Sequence, residues 1–267
     1  MKKLIAMILA LVMALSMVAC AGNNDAPAAD APAADVPATD APTDAPVEET
    51  EAPTEEATDA PVKEATVMTY EEYMAAAADD VVCIETYVQA TRSWWDNTIC
   101  VYAQGPDGAY FMYDMACSEE DAAKLVPGTK IRVTGDKAIF DGEVEIMNAT
   151  FEFVEGADAY IAEPMAATEL LGTAELESHM NKLASFEGLT IENISYKNDE
   201  PGDDIYVTVG YNGASYDFCV EVYLTGPDSE VYTTVGELEI GDVVNVEGFL
   251  YWYNGVNTHI TSITVAE

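Results

Sequence analysis

The feature that most constrains the fold of this chain is a glycine spacing that occurs twice. Glycines recur every seven residues in two sets, which are Gly128, Gly135 and Gly142, then Gly241, Gly248 and Gly255. Between the first two glycines of each set lies an alternating segment, VPGTKIRVTG at 126–135 and EIGDVVNVEG at 239–248. Alternation places the apolar residues on one face of a strand, and glycine suits points where a strand starts, bends or ends. The repeat therefore predicts one β unit built twice.

Each copy has the same predicted order of elements, three meandering strands, a connection and two further strands. In the first copy the strands cover 81–90, 98–104, 109–115, the segment after Gly128 and 143–153. The second copy has strands at 187–196, a hairpin at 205–224 that turns at Asn212-Gly213, the segment after Gly241 and 256–265. Capping patterns predict short helices after Thr69 and Ser118, and 173–185 is predicted to be a helix before the second copy.

This order resembles the oligonucleotide/oligosaccharide-binding fold (OB-fold), a five-stranded barrel with a helix often between the third and fourth strands. The segments GAYFMYDM, VPGTKIRVTG and GEVEI make the chain similar to the tandem OB-fold lipoproteins of Gram-positive anaerobic bacteria, whose function is unassigned. The expected fold is mainly β, with two tandem five-stranded OB-like barrels at 67–156 and 157–267, each with a short helical lead-in. The alternative is a single two-sheet sandwich, which would explain the strands but not the glycine register.

Residues 1–19 are predicted to be a lipoprotein signal peptide. Two lysines precede an apolar run at 4–15 that is too short to span a bilayer, and small residues follow. Cys20 stands directly after Ala19, an arrangement that resembles the lipobox of bacterial lipoproteins and implies a lipidated Cys20. A plain secretory peptide is the alternative.

A disordered acidic linker is predicted at 20–66, after the signal peptide. The segment is rich in Pro, Ala and acidic residues, and no Leu, Ile, Phe, Tyr or Trp occurs between 21 and 65. Such a composition cannot bury enough apolar surface to fold. The expected location is the extracellular face of the cytoplasmic membrane, with the folded part held there by its lipid anchor.

The charge of the chain restricts its partners. Asp and Glu number 49 against 10 Lys and Arg, which gives a formal net charge of −39. Nucleic-acid binding depends on basic residues that displace counterions, so this charge disfavours it and leaves it possible by fold analogy alone. Besides the membrane, the expected partners are a glycan, a cell-wall polymer or a protein.

Candidate ligand-binding residues follow from the places where OB barrels bind, the face of strands 2 and 3 and the loops that flank it. Aromatic side chains there would stack on sugar rings or bases. In the first copy the basic fourth strand is also the place where an anion would bind. The alternative for the aromatic residues is that they occupy ordinary strand positions or cover an interface between the barrels. The alternative for the basic residues is that they form ion pairs with surrounding carboxylates. The candidates are Trp94, Trp95, Tyr102, Tyr110, Lys130 and Arg132 in the first copy and Tyr251, Trp252 and Tyr253 in the second.

The acidic segment 197–204 is a weak candidate for a calcium site. Its carboxylates lack the ligand spacing and central glycine of an EF-hand loop, so a solvated loop is favoured. The candidate ligands are Asp199, Glu200, Asp203 and Asp204. The four cysteines after Cys20 are expected to be buried thiols, with one bridge in the first half as the second choice.

No catalytic motif is found in the sequence, and no catalytic residue or cofactor is predicted. The two histidines, His179 and His259, have no motif partner. The favoured function is a non-catalytic binding module. The alternatives are a nucleic-acid-binding OB protein at the cell surface and a cation-dependent enzyme.

Overall fold

The computed structural model describes residues 66–266. The predicted signal peptide, the lipidation site at Cys20 and all of the predicted linker except Thr66 lie outside these residues. Within 66–266, every helix is too short or too polar to cross a membrane.

The first half forms a closed five-stranded barrel, here called the first barrel. Its elements are α1 (Tyr70–Ala75), β1 (Val81–Thr91), β2 (Thr98–Gln104), β3 (Ala109–Ala116), α2 (Glu119–Ala122), β4 (Lys130–Phe140) and β5 (Glu143–Phe153). The strand order is β1-β2-β3-β5-β4, and β4 pairs back onto β1. β3 and β5 are parallel, whereas the other neighbouring strands are antiparallel. This order, with α2 between the third and fourth strands, confirms the OB-like barrel and excludes a single two-sheet sandwich.

The second half forms a six-stranded sheet, here called the second sheet. Its elements are β6 (Met165–Ala166), β7 (Leu183–Tyr196), β8 (Ile205–Tyr211), β9 (Ala214–Val220), α3 (Val222–Thr225), α4 (Glu230–Glu237), β10 (Val243–Phe249) and β11 (His259–Val265). The order is β10-β11-β9-β8-β7-β6, and β10 also pairs with β7. Strands β7 to β11 thus repeat the connectivity of β1 to β5. The β9–β11 link is a single register pair, Cys219 with His259, so this half is not as clear a barrel as predicted.

The repeated glycines lie where the fourth strand of each copy begins and bends. Gly128 and Gly241 have φ values of 90° and 98°, which favour glycine, at the entry to β4 and β10. Gly135 and Gly248 lie within these strands, at shifts in the register with the last strand of each copy. A Cβ on Gly135 would lie 2.7 Å from the carbonyl oxygen of Met147. Glycine therefore lets the two backbones approach closely at the bend.

The capping patterns predict the short helices of the first barrel correctly. Thr69 Oγ1 accepts a hydrogen bond from the backbone N–H of Glu72, and the Glu72 carboxylate accepts one from the backbone N–H of Thr69. Ser118 caps α2 through the backbone N–H of Asp121. The two-residue hairpin at Asn212-Gly213 is also present, between β8 and β9.

The prediction of a helix over 173–185 is wrong. The segment forms a 3₁₀ turn at Leu176–His179, and β7 already begins at Leu183. Ala184 and Phe186 are buried in alternation and pair with β10, so strand pairing decides the conformation there. Sequence reasoning also missed α4, which Ser229 caps before β10.

The two halves have separate hydrophobic cores and share a third apolar cluster. One core lies inside the first barrel and the other inside the second sheet. The third cluster combines Cys100, Tyr102 and Phe111 of the first barrel with Phe249 of the second sheet, and Tyr251 packs against it. We call this contact the seam. The four cysteines of the described region are buried free thiols, as the first choice predicted.

Replacing Gly248 with Ala should destabilise the fold by about 1–3 kcal/mol, since an added Cβ would overlap the backbone carbonyl of His259 and force β10 and β11 apart. The change in unfolding free energy can be measured by urea denaturation. Gly105→Ala is the control, because the nearest atom to its added Cβ is Cδ2 of Tyr87 at 3.8 Å, an ordinary contact. Equal stability of the two variants would contradict the close approach at Gly248.

Candidate functional site

The outer face of β2 and β3, where the first barrel was expected to bind a ligand, is covered by the second sheet. Tyr102 points away from the first core as predicted, yet only 1% of it is exposed. Its ring stacks on Phe249 with centroids 4.6 Å apart and an interplanar angle of 19°. Phe111 lies beside it at 4.8 Å. The prediction that Tyr102 forms an open stacking platform is therefore wrong, because another part of the same chain occupies that face.

Tyr110 points into the first core rather than outward. Strand β3 is apolar on both faces, so alternation alone does not choose its orientation. The pairing of β2 with β3 decides it: Tyr110 is opposite Ala103, and both lie in the first core. Tyr70 and Tyr73 of α1 pack against its ring at 5.5 and 5.0 Å. The prediction of Tyr110 as an outward ligand contact is wrong.

Polar groups of both halves meet at the edge of the seam. Arg92, directly after β1, forms an ion pair with Glu221, with Nε 2.6 Å from Oε2. The Tyr102 hydroxyl lies 3.2 Å from the same carboxylate oxygen and 2.6 Å from Nδ1 of His259. Burial keeps the pKa of His259 well below its ordinary value, so the ring is neutral. Tyr251 stacks on this ring at 4.3 Å.

The face of β8 and β9, which corresponds in the second sheet to the covered face of the first barrel, is open. It forms a cleft of about 520 Å³ that we call the tyrosine cleft. Its lining includes Tyr206 and Asp217 on these strands, Tyr251 and Tyr253 in the loop 250–258 between β10 and β11, and His259 at the start of β11. The exposed fractions of Tyr206 and Tyr253 are 42% and 54%, so both rings are accessible.

A second cleft of about 400 Å³ lies at the loop between β1 and β2, and we call it the tryptophan cleft. Its exposed rings are Trp95, Tyr113 and Tyr223, with Trp95 79% exposed. Ser93 joins this loop to the second half by donating two hydrogen bonds to the carbonyl of Tyr223. Arg92, Asp204 and Glu221 line both clefts, which are therefore contiguous.

The first barrel holds the loop that forms one wall of the tyrosine cleft. Glu143 on β5 is fully buried, and its Oε2 accepts a hydrogen bond from the backbone N–H of Trp252 at 2.8 Å. The N–H of Asn254 donates to the carbonyl of Asp141 at 2.6 Å. Burial raises the pKa of Glu143 to about 8, so at neutral pH the carboxyl is mainly protonated. The position of Tyr251 and Tyr253 thus depends on both halves.

Two of the three tryptophans that were predicted to bind ligand, Trp94 and Trp252, pack against the hydrophobic cores. Trp94 packs against the first core, and its Nε1 donates to the carbonyl of Cys117 at 2.8 Å. Trp252 packs against the second core. Of the aromatic residues predicted to bind ligand, Trp95, Tyr251 and Tyr253 therefore line one of the two clefts at the seam.

The two candidate basic residues of the fourth strand, Lys130 and Arg132, are already paired with a carboxylate. Nζ of Lys130 lies 2.7 Å from Oε2 of Glu85, and Arg132 Nη2 lies 2.9 Å from Oε1 of the same residue. The alternative stated for these residues, ion pairs with carboxylates in place of a bound anion, is therefore the one observed. Neither residue lines one of the two clefts at the seam.

The acidic loop 197–204 binds its own lysine. Nζ of Lys197 lies 3.1 Å from Oδ2 of Asp204 and 3.4 Å from Oδ1 of Asp203. The second carboxylate oxygen of Asp204 accepts the backbone N–H of Val222 at 3.0 Å. Across residues 66–266, no group of three or more His, Cys, Asp or Glu side chains is arranged to hold a metal ion. The candidate calcium ligands, Asp199 and Glu200 included, therefore do not form such a group.

Sequence reasoning missed the polar residues that join the halves. Arg92, Glu221 and His259 are far apart in the sequence and belong to no motif. Glu143 gave one local signal, an acidic residue beside apolar positions of the segment GEVEI. That signal does not reveal a partner 109 positions further along the chain.

No protein-family model matches the chain, and no curated protein matches it. Among solved structures, it is similar to a murine DNA-binding protein bound to double-stranded DNA, with 10% identity and a TM-score of 0.34 over 69% of this chain and 95% of that one. The tetrameric p202 HIN2 is similar at 13% identity and a TM-score of 0.30, over 72% of this chain and 96% of that one. A replication protein A heterotrimer bound to single-stranded DNA is similar at 13% identity and a TM-score of 0.32, over 73% of this chain and 51% of that one. Likeness at this level says nothing about what this chain binds.

The unfolding free energy should fall as pH rises between about 4.5 and 8, because Glu143 keeps its proton in the folded chain over this window and loses it in the unfolded chain. Each pKa unit corresponds to about 1.4 kcal/mol, so the effect should reach a few kcal/mol. In Glu143→Gln, which retains an oxygen for the Trp252 N–H, the decline should be smaller, and what remains comes from Glu145 and Glu221, whose pKa values burial also raises.

Urea denaturation at pH 5, 7 and 9 measures this dependence. Glu152→Gln is the matched control, because Glu152 lies on the same strand with its side chain 79% exposed. It should keep the wild-type pH profile. An unchanged profile in Glu143→Gln would show that the buried carboxyl does not hold the extra proton.

Proposed function

We propose that the chain is a non-catalytic binding module whose ligand lies in the tyrosine cleft. One observation carries this proposal. The β2–β3 face of the first barrel is buried at the seam, whereas the corresponding β8–β9 face is open and has Tyr253 of the adjoining loop at its edge. OB barrels bind oligonucleotides and oligosaccharides at this face and these loops.

The size and chemistry of the cleft support a polar polymer as the ligand. A volume of about 520 Å³ falls within the range of ~300–1,000 Å³ that is typical of ligand pockets. Exposed tyrosine rings offer stacking surfaces, and the side chains of Thr208 and Asn257 offer hydrogen bonds. A glycan, a cell-wall polymer or an extended protein segment has the matching groups.

Nucleic acid is the second candidate, because five-stranded barrels of this topology often bind it. The charge of −39 opposes the approach of a phosphate backbone. The cations that line the two clefts, Arg92 and Lys197, are both paired with carboxylates. We therefore rank nucleic acid below a neutral or cationic polymer.

We also propose that the module is held on the outer face of the cytoplasmic membrane by lipid on Cys20. The leader pattern at 1–19 and the acidic segment after it support this location. Cys20→Ala should move the protein from the membrane fraction to the soluble fraction of the producing cells. Equal membrane recovery of the two proteins would contradict the anchor.

Ligand binding should depend on the exposed tyrosines of the cleft. The full chain can be tested in detergent against immobilised wall glycans, wall polymers and single-stranded DNA and RNA at low salt. Tyr206→Ala and Tyr253→Ala should each weaken binding about tenfold or more, since a stacking contact contributes about 1–3 kcal/mol. Tyr211→Ala is the matched control, because Tyr211 is on β8 but lines a different cleft.

The panel separates the two candidates. A glycan or wall polymer bound in a Tyr253-dependent manner supports the proposal, and retention of DNA or RNA that weakens steeply with salt favours the second candidate. Binding that is insensitive to both tyrosine changes, or none to any member of the panel, would contradict the tyrosine cleft as the binding site.

A further inference from the structure

The two clefts share a charge pattern that distinguishes between polar polymers. Each cation that lines them already faces a carboxylate, Arg92 with Glu221 at 2.6 Å and Lys197 with Asp204 at 3.1 Å. Each cleft has one further carboxylate, Asp217 in the tyrosine cleft and Asp114 in the tryptophan cleft. Among the described residues, neither of these two forms an ion pair.

The unpaired carboxylates lie beside accessible aromatic rings. Asp217 shares its cleft with Tyr206 and Tyr253, and one of its oxygens accepts the hydroxyl of Thr208 at 2.8 Å. A hydroxyl donor does not neutralise the charge, so the second oxygen remains available to a cation. An ammonium group is attracted both by a carboxylate and by the face of an aromatic ring.

The remaining polar groups of the tyrosine cleft match hydroxyl groups. Ser195, Thr208 and Asn257 line it, together with the neutral ring of His259. Nδ1 of His259 is engaged by Tyr102, and within the described region no group hydrogen-bonds its Nε2. His259 lines the cleft with its side chain 6% exposed, and its Nε2 can hydrogen-bond a ligand hydroxyl there. A lysine side chain would satisfy the carboxylate but none of these groups.

From this arrangement we propose that the ligand is an oligosaccharide of amino sugars with free amines. The inference rests on the proposed binding function and specifies its ligand. A sugar ring stacks on Tyr206 or Tyr253, its hydroxyls meet His259 and Asn257, and its ammonium group pairs with Asp217. Asp114 and Trp95 in the contiguous tryptophan cleft offer the same combination to a second amine-bearing unit.

The test compares three defined probes on the full chain by isothermal titration calorimetry. They are a β-1,4-linked glucosamine pentamer, the same pentamer fully N-acetylated, and pentalysine. The glucosamine pentamer should bind at least tenfold more tightly than either of the others at pH 6. Asp217→Asn should weaken its binding about five- to tenfold, and Tyr253→Ala should do the same.

Glu192→Gln is the matched control for Asp217→Asn. Glu192 is an exposed carboxylate that accepts a hydroxyl from Ser215 at 2.6 Å, yet it lies outside both clefts. It should leave the affinity unchanged. If both changes weaken binding of the glucosamine pentamer equally, the effect of Asp217→Asn comes from the loss of net negative charge. That result would overturn the proposed contact between Asp217 and the ammonium group.

The other outcomes separate this inference from the proposed function. Equal affinity for the glucosamine pentamer and its N-acetylated form would overturn the requirement for a free amine. If pentalysine is the tightest ligand, the proposal that the ligand is a sugar is overturned. In either case a Tyr253-dependent affinity leaves the binding module intact. A wall polymer that binds through Tyr253 while both pentamers fail would also overturn the amino-sugar ligand alone.

Discussion

The stacking of Tyr102 on Phe249 determines what the rest of this molecule can do. It buries the outer face of β2 and β3, which would otherwise present Tyr102 and Phe111 to solvent. Two aromatic rings at 4.6 Å remove a large apolar area from water, which favours association of the two halves. The same contact buries one of the two corresponding faces of the copies. The β8–β9 face is left open as a result.

The polar groups around these rings restrict how the halves dock. Arg92 and Glu221 come from different halves, and separating them would leave a charge uncompensated in a largely buried place. The Tyr102 hydroxyl reaches both Glu221 and His259, so its position depends on the same pair. An apolar seam alone would tolerate sliding of one half over the other. Here a displacement of even a few ångströms would break several hydrogen bonds together, which is why the clefts on either side of Arg92 have a defined shape.

The sequence allows prediction of what depends on neighbouring residues. The glycine register locates the bends of β4 and β10 because a close backbone approach excludes any Cβ at Gly135 and Gly248. The outward direction of Tyr102 follows from alternation, but its burial does not, because alternation cannot say what covers an outer face. The prediction for Tyr110 is wrong for another reason, because only the β2–β3 pairing decides which apolar face of β3 points into the core. The 250–258 loop could be identified as a cleft wall from topology, whereas its dependence on Glu143 required the fold.

The tyrosine cleft on the second copy depends on residues of both copies. The loop 250–258 belongs to the second sheet, yet its backbone at Trp252 and Asn254 is held by the β4–β5 hairpin of the first barrel. Arg92 of the first barrel lines both clefts, and without it the carboxylate of Glu221 would lie there without an ion-pair partner. The first copy therefore has its own β2–β3 face buried and supports the wall of the open cleft on the second copy. A second sheet expressed alone would keep the loop 250–258 but would lose the hydrogen bonds from Glu143 and Asp141 that hold it, together with the cation that faces Glu221.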